Sequence, residues 1–127
     1  MSRTEVNSTR DAMALRLLIL EDSRFDAELL TEAIRDTWPN AQLHHTNDEA
    51  TFLEALAHRQ FDVILSDFEL PSFSGEQALD LARQAVPGVP FIFVSGVIGE
   101  DNAVELLKRG ATDYVSKSRV SRLPVVL

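Results

Sequence analysis

Five short apolar runs, each followed by a stretch whose apolar residues recur at helical spacing, leave this chain few architectures. The runs are Leu15–Leu20, the weaker Gln42–Thr46, Phe61–Leu65, Phe91–Val94 and Asp113–Val115. Short runs apolar on both faces read as strands buried on both sides, the pattern of parallel strands covered by helices. The intervening stretches place Ala27, Leu30 and Ile34, then Phe52, Leu53 and Leu56, then Ala78, Leu81 and Ala82, then Ala103, Leu106 and Leu107 on helix faces. Punctuation agrees with that alternation. Ser23 can cap the first helix with Asp26 three residues on, Pro39 stops it, and Asn47 or Asp48 opens the second. Gly110, just past Lys108–Arg109, suits a left-handed C-terminal cap. The expected fold is an α/β doubly wound sandwich of five parallel strands with helices on both faces.

Composition narrows the function. The chain has 127 residues, which suits one domain. Residues 1–14 are polar and aperiodic and read as a tail or linker, with the domain spanning 15–127. There is no cysteine, so disulfides, thiolate metal sites and thiol nucleophiles are excluded. Twenty acidic residues against 12 basic ones give a net charge of −8, which repels nucleic acid and anionic lipid. No apolar run approaches the ~20 residues of a membrane span, and the N-terminus lacks a signal-peptide core. A cytoplasmic protein is expected.

In an open parallel sheet, ligands bind outside the carboxyl ends of the strands. The residues following the runs are Glu21 and Asp22, then Ser66 and Asp67, then Ser95 and Gly96, then Ser116 and Lys117. Three carboxylates, a hydroxyl and an ammonium therefore converge on one sheet edge. Clustered carboxylates repel one another unless a hard cation joins them, and Mg²⁺ takes oxygen ligands while keeping room for phosphate. A hydroxyl and an ammonium opposite supply donors for a transferring phosphoryl group. An Asp carboxylate is a competent nucleophile toward phosphorus. Asp67 is favoured because it follows a central strand and leads into a turn closed by Pro71 and Gly75. Each piece alone has a plainer meaning: Glu21-Asp22-Ser23 is also favourable charge at a helix N-terminus, Asp67 is also a turn residue, and a lysine after a strand is usually solvated. Lys117 is one of only two lysines, and it is the joint pattern at four strand ends that carries the reading.

With those residues in place, the chain resembles the receiver domains of bacterial two-component response regulators, over about Arg16 to Val126. Glu21-Asp22 matches the family's acidic pair, and Asp67 with Pro71 four residues later matches its phosphoacceptor motif. Ser95-Gly96 matches the hydroxyl position after the fourth strand, and Gly110-Ala111-Thr112-Asp113-Tyr114-Val115-Ser116-Lys117 matches the Gly-Ala-x-x-Tyr-x-x-Lys stretch. The tract from Val94 to Lys117 is further similar to receivers attached to sensor kinases or acting without a DNA-binding output. The resemblance implies a flavodoxin-like sheet of order 2-1-3-4-5. It implies that Asp67 accepts a phosphoryl group from a histidine kinase or a histidine phosphotransfer protein. Mg²⁺ (or Mn²⁺) would be held by Asp22 and Asp67, by Glu21 through water and by the carbonyl of Glu69. Lys117 and Ser95 would bind the phosphoryl oxygens, and Ser95 and Tyr114 would move together as the switch. The domain is then a signalling module that assists its own phosphorylation and dephosphorylation, not an enzyme.

Two departures from the family stand out. Ser118 follows Lys117 where proline, often cis, is usual; a cis bond before a non-proline costs roughly 2.5–4 kcal/mol, so a trans bond is expected, with Lys117 aimed by another constraint. Glu69, two residues past Asp67, can face the phosphoryl group or hydrolytic water. Two other readings compete: an interaction module that is never phosphorylated, and an aspartyl-phosphate phosphatase of the haloacid dehalogenase type. The latter has its motifs in the reverse order. His44 and His45 are strand neighbours on opposite faces and cannot share a metal, and His58 reads as solvated. Finally, Leu127 comes where a fifth helix has barely begun, with Ser121 its cap and Pro124 in its first turn. The expectation is a segment of a longer protein with a truncated fifth helix and an open apolar groove. A second copy of the chain or residues 1–14 would fill it.

Overall fold

The computed structural model describes residues 14–70, 73–96 and 100–122. Five strands, β1 (Arg16–Leu20), β2 (Gln42–Thr46), β3 (Val63–Ser66), β4 (Phe91–Ser95) and β5 (Asp113–Ser116), form one sheet of order β2-β1-β3-β4-β5. Every pairing is parallel. Helices α1 (Arg24–Thr37), α2 (Glu49–His58), α3 (Gly75–Ala85) and α4 (Glu100–Lys108) connect them. Among the described residues, no helix is long and apolar enough to cross a membrane.

Strand alternation divides the core in two. Leu17, Ile19, Val63, Leu65, Ile92, Val94 and Val115 pack with Leu30 and Ile34 of α1. On the other face, Leu18, Leu20, Ile64, Phe91 and Phe93 pack with Phe52 of α2, Leu79 of α3 and Leu106 of α4. The chain leaves β1 toward β2 on one side and returns to β3 on the other. The switch point between β1 and β3 is thus where the two carboxyl ends open a crevice.

Differences from expectation have local causes. β3 begins two residues later than its apolar run, because the Asp62 carboxylate accepts hydrogen bonds from the backbone N–H of Arg16 at 2.8 Å and from its guanidinium at 3.2 and 3.3 Å. Ser66, Ser95 and Ser116 close their strands rather than follow them. Ala55 and Leu79 are buried, whereas Leu53 and Leu107 are exposed. β2, the edge strand, is only partly buried, which explains its weak pattern.

The helix ends follow the sequence signals. The Ser23 hydroxyl accepts from the Asp26 N–H, the Asp48 carboxylate from the Thr51 N–H, and Ser74 with Gln77 forms a reciprocal capping box at α3. At the end of α4, Gly110 N–H bonds the carbonyl of Leu107 and Ala111 N–H that of Leu106, with Gly110 at φ +111°. This is the bonding of a Schellman cap.

The fifth helix is represented among the described residues by 3₁₀ turns over Lys117–Arg122, broken by a kink at Arg119 (φ −131°, ψ 40°), which start directly from β5 rather than at a Ser121 cap. Pro124 lies outside the described residues. Among the described residues the expected open groove is not seen: Ile92, Val94 and Val115 are buried, and the 3₁₀ turns lie against α1 and β4 on that face.

The Schellman cap gives a stability prediction. A Cβ on Gly110 meets Arg83 Cδ at 3.1 Å and the residue keeps a positive φ. Gly110→Ala is expected to cost about 1–2 kcal/mol, read as a lower urea midpoint with an unchanged slope.

Candidate functional site

β1 is followed by Glu21-Asp22 and β3 by Asp67, and the backbone at Glu21 and Asp67 is fixed from neighbouring strands. Glu21 N–H donates to the Thr46 carbonyl at 3.0 Å, and Asp67 N–H to the Leu20 carbonyl at 2.9 Å. His45 Nε2 donates to the Glu21 carbonyl at 2.6 Å, which places the imidazole proton on that nitrogen. Ser66 Oγ donates to the Asp67 carbonyl at 2.8 Å. Beyond Asp67 the chain turns into α3, and Gly75 N–H donates to the Phe68 carbonyl. The contact there is too close for a side chain: a Cβ on Gly75 would lie 2.7 Å from the Phe93 ring, 2.8 Å from Phe68 Cα and 2.9 Å from the Asp67 carbonyl oxygen.

Carboxylate oxygens of Glu21, Asp22 and Asp67 lie within 4.8 Å of one another. Glu21 is 1% exposed, Asp67 is buried and Asp22 is exposed. Lys117, brought by the end of β5, donates to Glu21 Oε1 at 2.7 Å, Asp26 Oδ2 at 2.7 Å and Asp67 Oδ2 at 3.2 Å. All three ammonium protons are thereby engaged. Burial works to lower the pKa of Lys117, but the hydrogen bonds it donates to Asp26 and Glu21 and their charge outweigh that, raise it and hold the ammonium charged. Burial, reinforced by the neighbouring Asp67, pushes the Glu21 carboxyl up to about 8, against the lowering effect of Lys117. The Asp26 carboxyl is pulled below the usual range, chiefly by Lys117.

The sequence-derived residues are mostly assembled here. Glu21, Asp22, Asp67 and Lys117 meet at the crevice. Ser95 is buried at the end of β4, in register with Ser116, and Tyr114 is half-buried on β5 opposite Phe93, against the α2–α4 face of the core. Glu69 is exposed. Pro71 lies outside the described residues. The Lys117–Ser118 bond is trans, as expected. Two contributors were not anticipated as parts of the site. Asp26 read only as a capping partner of Ser23, although its place one turn after Asp22 aligns it with the acidic pair. His45 had no sequence signal for its bond to the Glu21 carbonyl.

The donor set fits a divalent cation. Among the described residues this is the one cluster of three ligating side chains, and Glu21 Oε2 is buried without a hydrogen-bond partner. A buried carboxylate oxygen left unmet is costly unless a cation or water satisfies it.

Residues 17–124 match the response regulator receiver domain family. The chain belongs to that family. It is 32% identical over 107 residues to the response regulator protein FleR of Pseudomonas aeruginosa, covering 83% of this chain and 22% of FleR. This receiver domain therefore spans about a fifth of the length of that relative. Its structure is similar to the response regulator domain of Thermotoga maritima CheB, with TM-score 0.70, 30% identity and coverage of 85% and 81% of the two chains. It also shares the fold of the Mn²⁺-bound form of response regulator Rcp1, with TM-score 0.76, 20% identity and coverage of 88% and 91%.

The buried acid of the receiver domain makes its stability depend on pH. Glu21 has a folded pKa above its unfolded value, so the native state binds more protons between about 4.5 and 8 and this residue's contribution to stability falls as pH rises through that window. His44, whose pKa burial lowers, acts in the opposite direction near its ordinary value. Comparison with Glu21→Gln isolates the acid. Without divalent cations, the Tm advantage of Glu21→Gln over the natural protein is expected to grow from pH 5 to pH 8, and thermal melts across that range check it.

Proposed function

We propose that this receiver domain accepts a phosphoryl group on Asp67 from the phosphohistidine of a histidine kinase or histidine phosphotransfer protein, in the cytoplasm, and converts it into a change of surface. The observation that carries the reading is the placement of Asp67: a buried carboxylate at the switch point, 3.2 Å from the Lys117 ammonium and clustered with Glu21 and Asp22. In the transfer, an Asp67 carboxylate oxygen attacks phosphorus, an O–P bond forms, the P–N bond breaks, and the leaving imidazole takes up a proton. Asp22, Asp67, the Glu69 carbonyl and, through water, Glu21 would hold Mg²⁺ or Mn²⁺, which would supply positive charge against the phosphoryl oxygens; the Mn²⁺-bound form of Rcp1, which shares the fold, supports a divalent cation here. Lys117 neutralises the remaining oxygens. The Ser95 hydroxyl donates to one of them, and Tyr114 follows inward, reshaping the α4–β5 surface. The chain acts on no substrate other than itself.

A second copy of the chain is the other partner proposed. Val104 and Leu107 are both exposed on one side of α4, within the surface the switch would reshape. Sedimentation at micromolar concentration, with and without a phosphoryl donor, tests it.

Two sets of measurements test the site. With Mg²⁺ and acetyl phosphate, the protein is expected to gain one phosphoryl group labile to hydroxylamine, as an acyl phosphate must be. Asp67→Asn and EDTA should each abolish incorporation; equal labelling of Asp67→Asn removes the assignment. Lys117→Ala should leave the fold intact and sharply reduce phosphorylation. Glu69→Ala should alter the lifetime of the phosphoryl group more than the affinity for Mg²⁺, because only the backbone of Glu69 faces the metal in this reading. Loss of metal affinity with an unchanged lifetime would make its side chain a ligand.

A further inference from the structure

The ammonium of Lys117 is aimed without the proline that usually follows it. The Lys117–Ser118 bond is trans, and in the turn the Ser116 and Ser118 hydroxyls lie 2.8 Å apart and Ser118 N–H donates to Ser116 Oγ at 3.3 Å. Those bonds fix the backbone after β5 but leave four side-chain torsions free. What holds the far end of the side chain is a set of three carboxylates, and one of them, Asp26, stands outside the Glu21–Asp22–Asp67 cluster.

We propose that Asp26 is a positioning residue that tethers Lys117 to the first turn of α1 and keeps its ammonium in the site while the other carboxylates are engaged elsewhere. The proposal rests on the phosphoacceptor reading of Asp67. Glu21 and Asp67 are shared: each bonds Lys117 here and each belongs to the set that suits a divalent cation. When those oxygens turn to a cation or a phosphoryl group, the ammonium loses two of its three partners and meets a like charge. Asp26 remains. Its contact is as short as that of Glu21, 2.7 Å, and shorter than that of Asp67. Asp26 is itself immobilised, with its N–H bonded to the Ser23 hydroxyl and its negative charge favoured at the start of a helix. The side chain of Lys117 is only 22% exposed, so the pair is shielded more than a surface ion pair. A lysine carries several rotatable bonds and loses considerable entropy when fixed; a rigid second anchor makes that ordering independent of the groups that react.

The sequence supplies a direct probe, because Lys108 is the chain's only other lysine and is exposed. In ¹⁵N-labelled protein, Lys117 is expected to give a slowly exchanging side-chain ammonium signal that Lys108 lacks. The signal should persist on addition of Mg²⁺. Asp26→Asn should lose it, most completely with Mg²⁺ present, and Asp26→Glu should restore it. Loss of the natural protein's signal with Mg²⁺, or an unchanged signal in Asp26→Asn, overturns the tether. A double-mutant cycle reads the consequence. Asp26→Asn should slow phosphorylation by acetyl phosphate at saturating Mg²⁺ roughly fivefold to tenfold, a coupling expected of contacting charges, and less than twofold in a Lys117→Met background. Equal slowing in both backgrounds would make Asp26 a general source of negative charge and overturn the tether. If the natural protein takes up no phosphoryl group, the phosphoacceptor reading fails, while the ammonium signal still decides the tether.

Discussion

Four carboxyl groups stand around one ammonium at the edge of this sheet, and that imbalance of charge governs the site. Glu21 is buried there beside Lys117, 2.7 Å away, and its carboxyl still rises to about 8. Lys117 reaches the crevice because β5 is the far edge strand and ends level with β4, whose neighbour β3 carries Asp67. The switch point provides the opening, and the unbalanced charge makes it receptive to a further cation. A fully compensated set of ion pairs would have no reason to take up metal or phosphoryl group.

The interior strands and their flanking helices were legible because their signals are local and redundant. β1 and β4 are apolar on both faces, so any register buries them, and the parallel arrangement follows. α1 was legible from Ala27, Leu30 and Ile34, all of them buried. α2 and α3 were legible as helices but not in detail: Leu53 and Leu81 lie one position from the buried stripe, which passes through Ala55 and Leu79 instead. Spacing near 3.6 tolerates such a rotation, and only the shape of the opposing sheet settles it. The truncation of the fifth helix was legible after Lys117, but the point where the chain turns was not. Ser121 before Pro124 is a good helix start, but the hydroxyl pairing of Ser116 and Ser118 turns the chain earlier, into 3₁₀ turns.

In the site, strand-end position and motif spacing were sufficient for Glu21, Asp22, Asp67 and Lys117, since topology alone brings those positions together. Asp26 and His45 were hidden because their partners lie far away in sequence. Asp26 meets a residue 91 positions on, and His45 reaches a main-chain carbonyl 24 positions back. A main-chain acceptor is the same for every residue type, so no composition or motif could mark it.

The missing side chain at Gly75 sets how the site is mechanically joined to the rest of the molecule. With the Asp67 carbonyl oxygen, Phe68 Cα and the Phe93 ring all within 3 Å of where a Cβ would be, Asp67 and Phe68 lie directly against the head of α3. The Phe68 and Phe93 rings, edge to face at 5.9 Å, close the same gap from below. Close-packed interiors yield little under load. The loop, the helix end and the ring of β4 therefore behave as meshed teeth. A shift of a few tenths of an ångström at Asp67 would therefore press at once on the head of α3 and on the Phe93 ring of β4, the strand next to the one that brings Lys117.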